Sequence, residues 1–88
     1  MSRAQELMED LKNNVVRLNA IQEKIEEYKE KNDSVALTTL YRSEFSLCMD
    51  NSSIYEDLME ELENETDFVR RRLSNEANNL LQVEIIDL

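Results

Sequence analysis

The chain contains Gly 0 and Pro 0 in 88 residues. Tight turns, strand bulges and phosphate-cradling loops draw on glycine, and folds built from short strands use both residues as punctuation. A chain with neither is expected to run in long helices with few connections. His 0 and Cys 1 remove the usual zinc ligand sets and any Ser/Cys–His relay. Without glycine, neither a phosphate loop nor a dinucleotide-binding turn can be written. A single cysteine also forbids an internal disulfide, which suits an intracellular, reducing compartment, cytoplasmic or nuclear. Bases are scarce as well: 10 Lys and Arg against 20 acids give a net charge of −10. Duplex DNA and anionic membranes are bound mainly through Lys and Arg, so neither is expected as a partner. The apolar runs are a few residues long, too short to span a bilayer. Three N-x-S/T matches, at Asn32, Asn51 and Asn64, follow no signal peptide and read as chance in an Asn-rich chain.

What is present suits helices with one wet face: 41% hydrophobic and 34% charged residues, too apolar for a disordered tail. The length allows one domain, near the size at which a chain struggles to bury enough core alone. Carboxylates are plentiful, but those from 56 to 67 fall on solvent positions of a helix, with no apolar pocket to shift a pKa. The chain is therefore read as a non-enzyme, with no catalytic, cofactor-binding or metal-binding residue assigned.

The first element opens on Ser2-x-x-Gln5, a capping-box pattern. Ala4, Leu7, Leu11, Asn14, Leu18, Ile21, Ile25 and Tyr28 then alternate at spacings of three and four, the a/d pattern of a coiled coil kept for four heptads. Met8 and Val15 widen the seam toward a bundle face. Asn14 is the polar exception. Either it is buried and fixes register or strand number, or it turns to the edge and Val15 takes its place. The pattern stops at Lys31-Asn32-Asp33-Ser34, whose turn and N-cap residues mark a reversal and an antiparallel hairpin.

A second seam fills the rest: Thr38, Tyr41, Phe45, Cys48, Ser52, Tyr55, Met59, Leu62, Thr66, Val69, Leu73, Glu76, Leu80 and Val83. A second stripe, Leu37, Leu40, Leu47, Ile54 and Leu58, shares residues 37–58 with it. Two apolar faces on one helix call for two neighbours. The fold expected is all-α: helix 1 about 3–31, a turn at 32–34, helix 2 about 35–82, and an apolar-acidic tail at 83–88. Ser53-x-x-Glu56 offers a rival, a three-helix arrangement bent near 50–53, but the seam holds its phase there. An unbroken helix 2 would extend roughly 70 Å against roughly 40 Å for helix 1, leaving its last third without intrachain cover. Cys48, on the seam, is expected to be buried as a small hydrophobe.

From Asp50 to Asp67 there are eight acids and no base, followed by Arg70-Arg71-Arg72. Consecutive arginines fan out around a helix, so pairing within the helix, Asp67 with Arg70 or Arg71 and Arg72 with Glu76, is the simpler reading. The tail Val83-Glu84-Ile85-Ile86-Asp87-Leu88 resembles a SUMO-interacting motif, a run of Val/Ile/Leu beside acids. That resemblance implies strand addition to an exposed sheet edge. Leu80-Leu81-Gln82-Val83-Glu84 is similar to a clathrin-box peptide. The plainer alternative is that the tail prolongs the apolar contacts of the seam onto a partner subunit.

These features describe a non-enzymatic subunit that completes a helical bundle or coiled coil with itself or with other helical chains. The interface is expected at Leu7, Leu11, Asn14, Leu18, Ile21 and Ile25 of helix 1. In helix 2 it is expected at Tyr41, Phe45, Tyr55, Met59, Leu62, Val69, Leu73 and Leu80, continuing into Val83, Ile85, Ile86 and Leu88 of the tail. The competing expectation is a small acidic inhibitor that mimics nucleic acid and blocks a basic target.

Overall fold

The structure, a computed structural model, describes residues 2–81. Its elements are all α-helical: α1 (Arg3–Glu30), α2 (Ser34–Leu62) and α3 (Asp67–Leu81). Among the described residues no helix is long and apolar enough to cross a membrane.

Each boundary has a local cause. Ser2 caps α1 through the reciprocal pair expected from its spacing: its hydroxyl accepts from the Gln5 N–H at 3.2 Å, and the Gln5 side chain accepts from the Ser2 N–H at 3.1 Å. At the other end a chain without glycine uses Asn32 for the left-handed position, φ 55°. The Asp33 N–H reaches the Tyr28 carbonyl and the Asn32 N–H reaches that of Lys29, which closes α1 as a Schellman motif. Asp33 then caps α2, its carboxylate accepting from the Ala36 N–H at 3.1 Å. Three residues thus end one helix and start the next.

α2 passes through Asp50-Asn51-Ser52-Ser53 without interruption. The break lies further on, at residues 63–66, so helix 2 stops at Leu62 instead of running to 82 and a separate α3 follows. Carboxylates at 60, 61, 63 and 65 crowd the negative end of the α2 dipole, where a further helical turn gains least. The chain leaves through i→i+3 bonds from the N–H groups of Asn64 and Glu65 to the carbonyls of Glu61 and Leu62. Thr66 then offers its carbonyl to the Arg70 N–H to open α3. The seam hides this break, because Leu62, Thr66 and Val69 keep the three-four spacing across it.

α3 therefore folds back onto the hairpin of α1 and α2. Ala4, Leu7, Met8 and Leu11 of α1, Leu58 and Leu62 of α2, and Leu73 and Ala77 of α3 form one buried cluster. Pairing the start of α1 with the end of α2 makes the hairpin antiparallel. Leu80 and Leu81 line a small cleft with Val15, Leu18, Asn19 and Gln22, so α3 runs in the direction of α1. At about 1.5 Å per residue its 15 residues span about 22 Å, half the length of the 28-residue α1. The third helix covers only the half of the hairpin formed by the start of α1 and the end of α2.

Candidate functional site

The helical period assigns the two stripes of α2 to different neighbours. Leu40, Leu47, Asn51, Ile54 and Leu58 lie on the face turned to α1: Leu58 is fully buried, Asn51 is buried, and the other three are half-buried. The other stripe, from Tyr41 to Leu62, faces the side on which α3 packs. Tyr55, Met59 and Leu62 belong to the core or pack against it. The Tyr55 hydroxyl donates to Asn78 Oδ1 at 2.8 Å. Leu81 closes this covered section beside Ser52, Tyr55 and Glu56.

Further toward the Asn32 turn the same stripe is bare. Phe45 is 68% exposed and Tyr41 43%, and Cys48 is exposed, contrary to the burial expected of it; Met49, 56% exposed, flanks the stripe beside Phe45. Tyr41, Phe45 and Met49 follow at i, i+4 and i+8 and so form one ridge. In this outer half Ile25 is the one buried apolar residue among those described. Leu18, Ile21 and Tyr28 are half-buried, as are Leu37, Leu40 and Leu47. Two helices side by side cannot close a core; they bury one stripe each and leave the flanks wet.

The residues expected at an interface consequently divide. Leu7, Leu11, Leu62 and Leu73 lie inside the chain's own core, with Tyr55, Met59, Val69 and Leu80 packed around them. Ile25 is buried and Leu18, Ile21, Asn14 and Val15 are half-buried, with Ile21 beside Leu47 of α2 and Leu18 beside Leu80 of α3. Tyr41 and Phe45 remain open. Val83, Ile85, Ile86 and Leu88 lie outside the described residues.

Two polar features emerge that residue spacing alone did not single out. Asn51 is 3% exposed, and neither its Oδ1 nor its Nδ2 meets a hydrogen-bonding partner among the described residues. Its place between Leu47, Ile54 and Leu58 was the available signal. Glu76, expected to pair with Arg72, instead meets Lys12 of α1 at 3.0 Å, while Asp67 pairs with Arg70 as its spacing suggests. The Glu76 carboxylate raises the Lys12 pKa above its usual value, first through the hydrogen bond and then through its charge. Lys29 and Lys31 are raised in the same way by Glu26 and Glu27 one turn back. Lys31 also lies 5.0 Å from the centre of the Tyr28 ring.

Searches against protein-family models, curated proteins and solved structures return no match, so the reading rests on the chain itself.

Proposed function

We propose that this protein is a non-enzymatic structural subunit, a helical module that joins a homo- or hetero-oligomeric complex through the open half of its hairpin. One observation carries the reading: a single apolar stripe on α2 is covered by α3 from Tyr55 to Leu62 and left bare from Tyr41 to Cys48. Scattered surface hydrophobes need no explanation, but a ridge of large ones on consecutive turns marks an interaction surface. Burying it against another helix would complete on the outer half the three-layer packing that α3 supplies on the inner half.

The test is the native size of the tagged full-length chain. It is expected in a species larger than one chain, with Phe45→Asp returning it to the size of a monomer. A wild-type chain that is monomeric under all conditions defeats the reading. Phe45 is suited to this purpose because its exposure lets it change without disturbing the fold.

A second reading, a small acidic inhibitor that occupies a basic channel, draws on a different observation. Of the eight acids from Asp50 to Asp67, only Asp67 has an ion-pair partner among the described residues. That reading requires binding that falls steeply with salt, whereas the apolar ridge requires modest salt sensitivity.

A further inference from the structure

We infer that the occupant of the bare ridge is a second copy of this chain, so that two outer hairpin halves pack face to face as a four-helix bundle. This inference rests on the assembly reading above and names its partner.

The charge distribution supports the choice. Residues 16–49, which make up the outer half, hold six acids and five bases, a net of −1; the remaining residues therefore carry −9 of the total −10. Two copies of so acidic a protein repel wherever their inner halves approach, and that repulsion is nearly absent across the outer halves. A partner selected by positive charge would be drawn to the inner half, where the acids from Asp50 to Asp67 cluster. The outer face selects by apolar shape, and the ridge of Tyr41, Phe45 and Met49 offers like to like. A two-fold axis near Phe45 uses the same patch on both copies, the isologous arrangement that closes without further growth.

The area fits a dimer of modest strength. From Ser34 to Met49 the outer half of α2 is about 23 Å long, and two adjacent helices are about 20 Å wide. Two copies would remove roughly 900 Å² in total, the size of a weak, transient interface. Such an interface predicts reversible, concentration-dependent pairing.

The experiment is sedimentation equilibrium on the full chain, with cross-linking of Cys48 by a short bis-maleimide as a second readout. Wild type is expected to show a monomer–dimer equilibrium and to yield a covalent dimer through Cys48, which lies one turn from Phe45. Phe45→Asp is expected to weaken dimerisation at least tenfold and to abolish the cross-link. Phe68→Asp, at the 74% exposed Phe68 of α3, is expected to change neither. A wild-type chain still monomeric at about 1 mM, a concentration at which even weak complexes form, overturns the inference. If that monomer enters a larger complex with other chains and loses it on Phe45→Asp, the assembly reading survives without self-pairing. If the monomer's Cys48 resists maleimide, residues 82–88 cover the ridge within one chain, and the second copy is again excluded. Equal weakening by Phe45→Asp and Phe68→Asp also overturns it, because the contact would then not be the ridge.

Discussion

The hydroxyl of Tyr55 donates to Asn78 Oδ1 at 2.8 Å across a gap of 23 residues in sequence. It is a side-chain hydrogen bond that fastens α3 to the hairpin, and it is part-buried. Removing the hydroxyl alone leaves the ring in place and strands the Asn78 oxygen. Tyr55→Phe should therefore cost about 1 kcal/mol, read as a lower urea midpoint at unchanged slope. Amide exchange should quicken first within α3. An unchanged midpoint would mean that this bond does not hold α3 in place.

Asn51 points to a change in the opposite direction. A buried amide with neither of its polar atoms paired among the described residues carries its desolvation cost uncompensated. Asn51→Leu should raise stability by about 1–3 kcal/mol in equilibrium unfolding. If Asn51 instead fixes how α1 and α2 slide along one another, the variant should gain stability yet broaden its amide NMR spectrum, because an all-apolar stripe admits neighbouring registers. A loss of stability would show that the amide is satisfied in solution.

The Lys12–Glu76 pair gives a prediction with a sign. The folded chain holds the Lys12 proton more tightly than the unfolded chain, whose value is near the usual 10.5. The contribution of the pair is thus fully present below the unfolded value and is lost as pH rises through the higher folded one. The difference in urea midpoint between wild type and Glu76→Gln should be steady from about pH 7 to 9 and shrink above about 10.5. Both side chains are more than 40% exposed, so the difference should also shrink in high salt. A difference that persists unchanged at alkaline pH would show that Lys12 is not its source.

The acids at the end of α2 allow the two functional readings to be separated. Replacing Glu60, Glu61, Glu63 and Glu65 with Gln relieves like charges at the negative end of the helix dipole. Thermal stability should rise by a few degrees, and association through the ridge should be unaffected. Loss of partner binding in this variant, with Phe45→Asp harmless, would favour the acidic-inhibitor reading over the assembly one.

The helical class, the reversal near residue 32 and the Ser2 capping box were all legible, because each depends on neighbours within a few positions. The break at 63–66 was not. Nothing in Glu63-Asn64-Glu65-Thr66 forbids a helix, and Leu62, Thr66 and Val69 carry the seam across it in phase. A spacing rule cannot distinguish a straight helix from two that resume the same rhythm after a turn. The same limit explains why Tyr41 and Phe45 looked equivalent to Tyr55 and Leu62: they share one stripe, and only the length of α3 decides which are covered. Asn51 was not singled out because Asp50, Ser52 and Ser53 make its surroundings look polar, although its own position falls on the α1-facing stripe.

The core cluster brings together Ala4, Leu7, Leu58 and Ala77 at one end of the molecule, which gives the protein a direction in which it comes apart. Fluctuations should start at the Asn32 tip and run inward like an opening zip, so amides near the tip exchange through small local openings while those near Leu58 wait for global unfolding. A contact that clamps the tip would raise exchange protection along the whole outer hairpin, far beyond the residues it touches.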